Sequence, residues 1–292
     1  MAVPEVAGFH EPRTGSVQYV VADPATRRCA IVDPVLDFDP RSGTVATVSA
    51  DALLAHVAAR ELTLEWILDT HPHADHLSAA AYLHRCTGAP TAIGARVAEV
   101  RRLWAGLYGI PDLSGDAPAW DRTFGDGERF RIGALDVEVL PSPGHTLASV
   151  TYLVGDAAFV HDTLFMPDGG TARCDFPGGS AAALWASIER ITALPGATRL
   201  FTGHDYRPGG REARWESSVA EQRATNIHLT RCADAAAYVA MREARDRTLP
   251  IPDLMLLALQ VNLRGGRLPE PNAGGVRCLS VPLDVLPGCG WR

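Results

Sequence analysis

Two runs rich in apolar and β-branched residues, "SVQYVVAD" at 16–23 and "RCAIVDPV" at 28–35, flank the turn-forming "DPATR" and predict a β-hairpin. From Ser49 the spacing changes: "SADALLAHVAAREL" places Leu53, Leu54, Val57 and Ala58 on one helical face, with Ser49 as its cap. "LEWILDT" then predicts a buried strand, "HLSAAAYLHRCTG" a helix stopped at Gly88, "PTAIG" a short strand and "ARVAEVRRLWAGLYG" another helix. Four strands follow in "ERFRIG", "LDVEVLPSPG", "ASVTYLVG" and "AAFVHD", then the helix "SAAALWASIERITAL" and the strand "TRLFTG". Strands in series with helices between them predict two facing sheets with helices outside, an αββα sandwich of the α/β (α+β) class. Past residue 206 the charged "REARWESSVAEQRATNIHLT" and "DAAAYVAMREARDRTL" predict helices, followed by a Pro/Gly-rich tail. Residues 1–206 are therefore expected to form the core, and 207–292 an appendage packed on it within one domain.

The candidate chemistry lies in "THPHADH" at 70–76, which crowds His71, His73, Asp75 and His76 onto one loop at a strand end. Three more groups follow predicted strands: His145 in "PSPGHT", Asp162 in "FVHDTLF" and His204 in "FTGHDY". Imidazole with carboxylate suits Zn(II), Fe(II) or Mn(II), and a set without cysteine argues against a closed structural zinc site. His10, His56, His84, His161 and His228 lack such company and read as structural.

Composition narrows the partners. The 292 residues are 47% hydrophobic and 21% charged with a net charge of −7, enough to bury a core and unsuited to phosphate backbones or anionic lipid. No nucleic-acid or membrane partner is expected. "MAVPEVAGFHEPRTGS" lacks the pattern of a secretory leader, which makes a cytoplasmic location the expectation. Cys29, Cys86, Cys174, Cys232, Cys278 and Cys289 show no CxxC spacing and read as reduced, mostly structural thiols. Cys174 adjoins Arg173 but reads as buried and inert. The apolar "IPDLMLLALQVNL" suits a homodimer contact or the chain's own sandwich equally.

In order, "THPHADH", "GHT", the Asp of "HDTLF" and "GHDY" resemble the metallo-β-lactamase superfamily over residues 10 to 206. "AIVDPVLD", "SPGHT", "GTARCDF" and "GHDY", with the later "QVNLRGGRLPEP" and "GGVRCLSVPL", resemble its persulfide dioxygenases, also called sulfur dioxygenases, and the β-lactamase hydrolase-like proteins. The resemblance implies one Fe(II) per chain on His71, His145 and Asp162, the catalytic set, and oxidation of glutathione persulfide by O2 to sulfite and thiol. His73, Asp75, His76 and His204 would then orient ligands and waters, or be what remains of a second metal position. Arg173 matches an arginine near the glutathione carboxylate, with an ion pair to Asp175 or Asp168 as its alternative. Tyr206 is placed to bind an oxygen or sulfur species, or to be structural. The competing expectation is a glyoxalase II-like thioester hydrolase holding two Zn(II) on all seven ligands. A non-catalytic metal-binding protein would be expected to have lost ligands, and none is lost.

Overall fold

A computed structural model describes residues 3–114 and 118–286; Cys289 lies outside them. The elements are β1 (Glu5–His10), β2 (Val17–Ala22), β3 (Arg28–Val32), β4 (Val35–Asp39), β5 (Thr44–Ala46), α1 (Val48–Ala59), β6 (Thr63–Leu68), β7 (Leu77–Ser78), α2 (Ala80–Thr87), β8 (Thr91–Gly94) and α3 (Val97–Tyr108). After these come β9 (Arg122–Phe124), β10 (Arg129–Ile132), β11 (Leu135–Pro141), β12 (Val150–Val154), β13 (Ala157–His161), α4 (Ala181–Thr192), β14 (Arg199–Thr202), β15 (Glu216–Ser218), α5 (Val219–Thr225), α6 (Ala235–Asp246) and α7 (Met255–Asn262).

The strands form two six-stranded sheets, ordered β1-β2-β3-β6-β8-β9 and β10-β11-β12-β13-β14-β15, and a small one, β5-β4-β7. Alternation along each strand explains the layers. Val17, Tyr19 and Val21 of β2 point inward to meet Val137, Val139, Tyr152 and Phe159 of the facing sheet. Val20 and Ala22, one position out of phase, join Leu53, Leu83 and Ala258 of the covering helices. Leu184, Ile188 and Tyr238 cover the second sheet on Val160 and Leu200. The αββα sandwich is thus observed.

Several expectations need correction. Ser49 does not cap α1: Thr47 holds that position without a capping bond, its Oγ1 donating instead to Asp51 at 2.7 Å, while Ser49 N and Oγ both donate to Asp37 at 2.9 and 2.8 Å. The segment read as "HLSAAAYLHRCTG" becomes helical only at Ala80, because Leu77 and Ser78 pair with β4. "REARWESSVAEQRATNIHLT" is helical only over Val219–Thr225. Trp215 packs against the inter-sheet core, and Glu216–Ser218 pair with β14 at the sheet edge. The tail also contains α7, whose Met255, Ala258, Leu259 and Val261 are buried in this chain's own core. The five cysteines among the described residues are free. No helix among them is long and apolar enough to cross a membrane.

Candidate metal centre

Four strands end on one edge of the sandwich and deliver the predicted residues there: β6 leads to His71, β11 to His145, β13 to Asp162 and β14 to His204. Two glycines let the loops approach. Gly144 has φ +141°, and a Cβ there would lie 2.3 Å from Leu184 Cα; a Cβ on Gly203 would lie 2.6 Å from Asp162 Oδ1. His161, just before Asp162, takes φ 41°, a backbone region that non-glycine residues rarely adopt. Its ring is buried 5.0 Å from that of His71, and its Nε2 lies 3.0 Å from Thr163 Oγ1.

One ligand atom each from His71, His145 and Asp162 lies within 4.8 Å of the others. Asp162 Oδ2 is 3.9 Å from His71 Nε2 and 3.7 Å from His145 Nε2. The far side of each ring is occupied. His71 Nδ1 donates to Thr70 Oγ1 at 3.0 Å, which donates onward to Asp33 at 2.8 Å, and His145 Nδ1 donates to the Arg173 carbonyl at 2.7 Å. These bonds fix the tautomers that leave both Nε2 lone pairs for an ion. His71 Nε2 is buried with no hydrogen-bond partner among the described residues, as expected of a nitrogen kept for a metal. Two metal–ligand bonds of about 2.1 Å span at most roughly 4.2 Å, so the observed separations fit a shared ion.

Electrostatics agree. Burial pushes the His71 and His145 pKa values down, favouring neutral, ligating imidazoles. Burial raises that of Asp162, but the charge and hydrogen bond of His204 outweigh it and hold the carboxyl at about 2.

The remaining residues of the motif form a second layer of contacts. His204 donates from Nδ1 to Asp162 Oδ1 at 2.6 Å and from Nε2 to Asp75 Oδ2 at 2.8 Å. That Asp75 oxygen also accepts from His76 Nδ1 at 2.8 Å and Ser16 Oγ at 2.9 Å. Despite its burial, His204 is held strongly towards the charged form by the two carboxylates. His73 Nε2 lies 3.0 Å from Asp33 Oδ1; burial opposes the charge, yet Asp33 raises the His73 pKa to about 9. His73, Asp75 and His76 also lie close enough together to hold an ion, and His73 Nδ1 and His76 Nε2 are buried without hydrogen-bond partners among the described residues.

A cavity of about 420 Å³ opens beside Asp162 and His145, bordered by Phe165, Phe176, Arg173 and Tyr206. The Arg173 guanidinium is paired with Asp175 through two bonds of 2.7 and 2.8 Å and lies over the Phe176 ring. Tyr206 is 62% exposed and stacks on His204 at 5.4 Å. Cys174 is buried, and its Sγ donates to Asp246 at 3.4 Å. Burial and Asp246 push the thiol up to about 12. His228 is buried at Thr171, while His84 is half exposed and bonds the Ala89 carbonyl.

Three contributors were not picked out from sequence. Ser16 and Asp33 sit far from the motif in the chain, although "AIVDPVLD" contained Asp33. Asn262 of α7 donates to the carbonyls of His73 and His76 at 2.8 and 2.7 Å and accepts from Ser78 N at 2.7 Å. Asn262 lies within the quoted "QVNLRGGRLPEP", but its role in bracing the loop depends on a contact between distant positions.

Fold and candidate ligands agree with the family match: residues 12–204 match the metallo-β-lactamase superfamily, to which the chain belongs. Among its relatives, a β-lactamase hydrolase-like protein of Xylella fastidiosa is 62% identical over 288 residues, 99% of this chain and 67% of that protein. Glyoxylase B2 of Dictyostelium discoideum is 41% identical over 95% of this chain and 96% of that one. The mitochondrial persulfide dioxygenase ETHE1 of Bos taurus is 30% identical over 90% and 89%. The crystal structure of ETHE1 from Myxococcus xanthus matches with a TM-score of 0.73 at 28% identity, covering 90% of this chain and 100% of that one.

Proposed function

We propose that this chain is an Fe(II)-dependent persulfide dioxygenase that oxidises glutathione persulfide, or a similar small persulfide, with O2 and one water to sulfite and thiol. The observation that carries this reading is the engagement of His204. Both its nitrogens donate to carboxylates, Asp162 and Asp75, so the group a two-metal site would need as its seventh ligand serves as a hydrogen-bond donor. The ligand set left is two imidazoles and one carboxylate oxygen. A ferrous ion so held would leave room for a sulfur substrate and O2 together. The likeness to the persulfide dioxygenase ETHE1 of Bos taurus supports the same choice.

The chain's own residues would do the rest. Thr70 and the Arg173 carbonyl hold the two imidazoles in their ligating tautomers. His204 steadies Asp162 so that one carboxylate oxygen faces the ion. Phe165 and Phe176 keep the cavity wall apolar, limiting water around the persulfide. Tyr206 would meet the substrate at the mouth, and Arg173 would form the wall beside it.

One observation favours a second reading, a two-zinc thioester hydrolase: the partnerless nitrogens of His73 and His76 beside Asp75. The 41% identity with a protein named glyoxylase B2 points the same way. Oxygen uptake with glutathione persulfide, iron-loaded against zinc-loaded protein, separates the two. Uptake with sulfite release in the iron form alone is expected. No uptake by verified iron-loaded protein, with thioester cleavage by the zinc form, would replace the dioxygenase reading.

A further inference from the structure

Three arginines line the cavity beside the triad: Arg173, Arg242 and Arg245. Two of them already have carboxylate partners. Arg173 is paired with Asp175 and also donates to the Pro250 carbonyl. Arg242 is almost fully buried, donates to Asp246 from Nε at 2.9 Å and bonds the Thr171 carbonyl at 3.0 Å. Arg245, one turn further along α6, is exposed and makes no ion pair or side-chain hydrogen bond among the described residues. Leu249, Pro250 and Pro252 border the cavity on the same side, so this cation faces an otherwise apolar rim.

We propose that Arg245 is the specificity-determining cation of the site: it binds a carboxylate of a peptide-type persulfide whose sulfur is directed to His71, His145 and Asp162. This rests on the persulfide reading and adds to it the residue that anchors the substrate's carboxylate. A substrate carboxylate reaching Arg173 would have to displace Asp175 from a two-bond pairing, whereas Arg245 offers its planar donors without such competition. A cavity of about 420 Å³ falls within the range of roughly 300–1,000 Å³ usual for small-molecule sites. It has room for a tripeptide-sized thiol laid between rim and triad. Small uncharged persulfides would enter but would lack the anchor.

The test is a binding titration of the metal-loaded protein with glutathione and with glutathione diethyl ester, whose carboxylates are masked. Wild type, Arg245→Gln and Arg245→Lys are compared. Wild type is expected to bind glutathione roughly tenfold more tightly than the ester, a difference of about 1.4 kcal/mol. Arg245→Gln should remove that preference, and Arg245→Lys should restore part of it, since the charge returns without the planar fork. Equal affinity of wild type and Arg245→Gln for glutathione would overturn the proposal, as would wild type binding glutathione no better than the ester. Because binding is read without turnover, failure of this anchor is distinct from failure of the dioxygenase reading, which oxygen uptake decides.

Discussion

His204 and Asp162 face each other with 2.6 Å between Nδ1 and Oδ1, while the other oxygen of Asp162 turns towards His71 and His145. One carboxylate thus divides its two oxygens between a hydrogen-bond donor and a metal position. Replacing His204 by Ala should lower metal affinity by about 10–100-fold, the usual cost of removing a group that orients a ligand. Saturation should still reach one ion per chain. Equilibrium dialysis with metal analysis checks this; a fall from two ions to one would make His204 a ligand.

His145→Ala or Asp162→Ala should abolish iron binding and oxygen uptake together, because the proposed set of three ligands would leave no reserve. A variant that retained both would remove its residue from the ligand set.

Asn262→Ala should weaken the site from outside it. The side chain ties α7 to the main chain of His73, His76 and Ser78, and its loss leaves buried backbone groups unpaired at a cost of roughly 1–3 kcal/mol each. Urea unfolding should show the loss, and metal affinity should fall with it. Unchanged stability would mean that the loop holds itself.

Acid should act through His228. Burial, and after it Arg242, Arg245 and Arg231, lowers its pKa to about 4, and its Nδ1 accepts from Thr171 N at 2.9 Å. The unfolded chain, with a histidine near 6.5, therefore binds more protons between those two values. The contribution of His228 to stability is complete above about pH 6.5 and is lost as pH falls towards 4. His228→Gln should flatten this part of the melting-temperature profile; an unaltered slope would assign the acid sensitivity elsewhere.

The strand and helix periods made the sandwich legible, since each layer buries residues that alternate or recur along a single segment. The clustering of His71, His73, Asp75 and His76 made the metal chemistry legible because so many coordinating groups within seven positions have little other use. The ends of elements were less readable where a distant partner competes, as Asp37 does for Ser49 and β14 does for Glu216–Ser218.

By itself the sequence determined the layered fold and offered the candidate ligands, both carried by local spacing. Only the tertiary structure decided which nitrogen of each histidine faces the site, that His204 spans two carboxylates, that Ser16 and Asn262 brace the motif and that Arg245 has no carboxylate partner among the described residues. The physical reason is distance along the chain. Ser16 meets His204 across 188 positions, and Asn262 meets His73 across 189. Hydrogen bonds of this kind leave no periodic trace in the residues that make them.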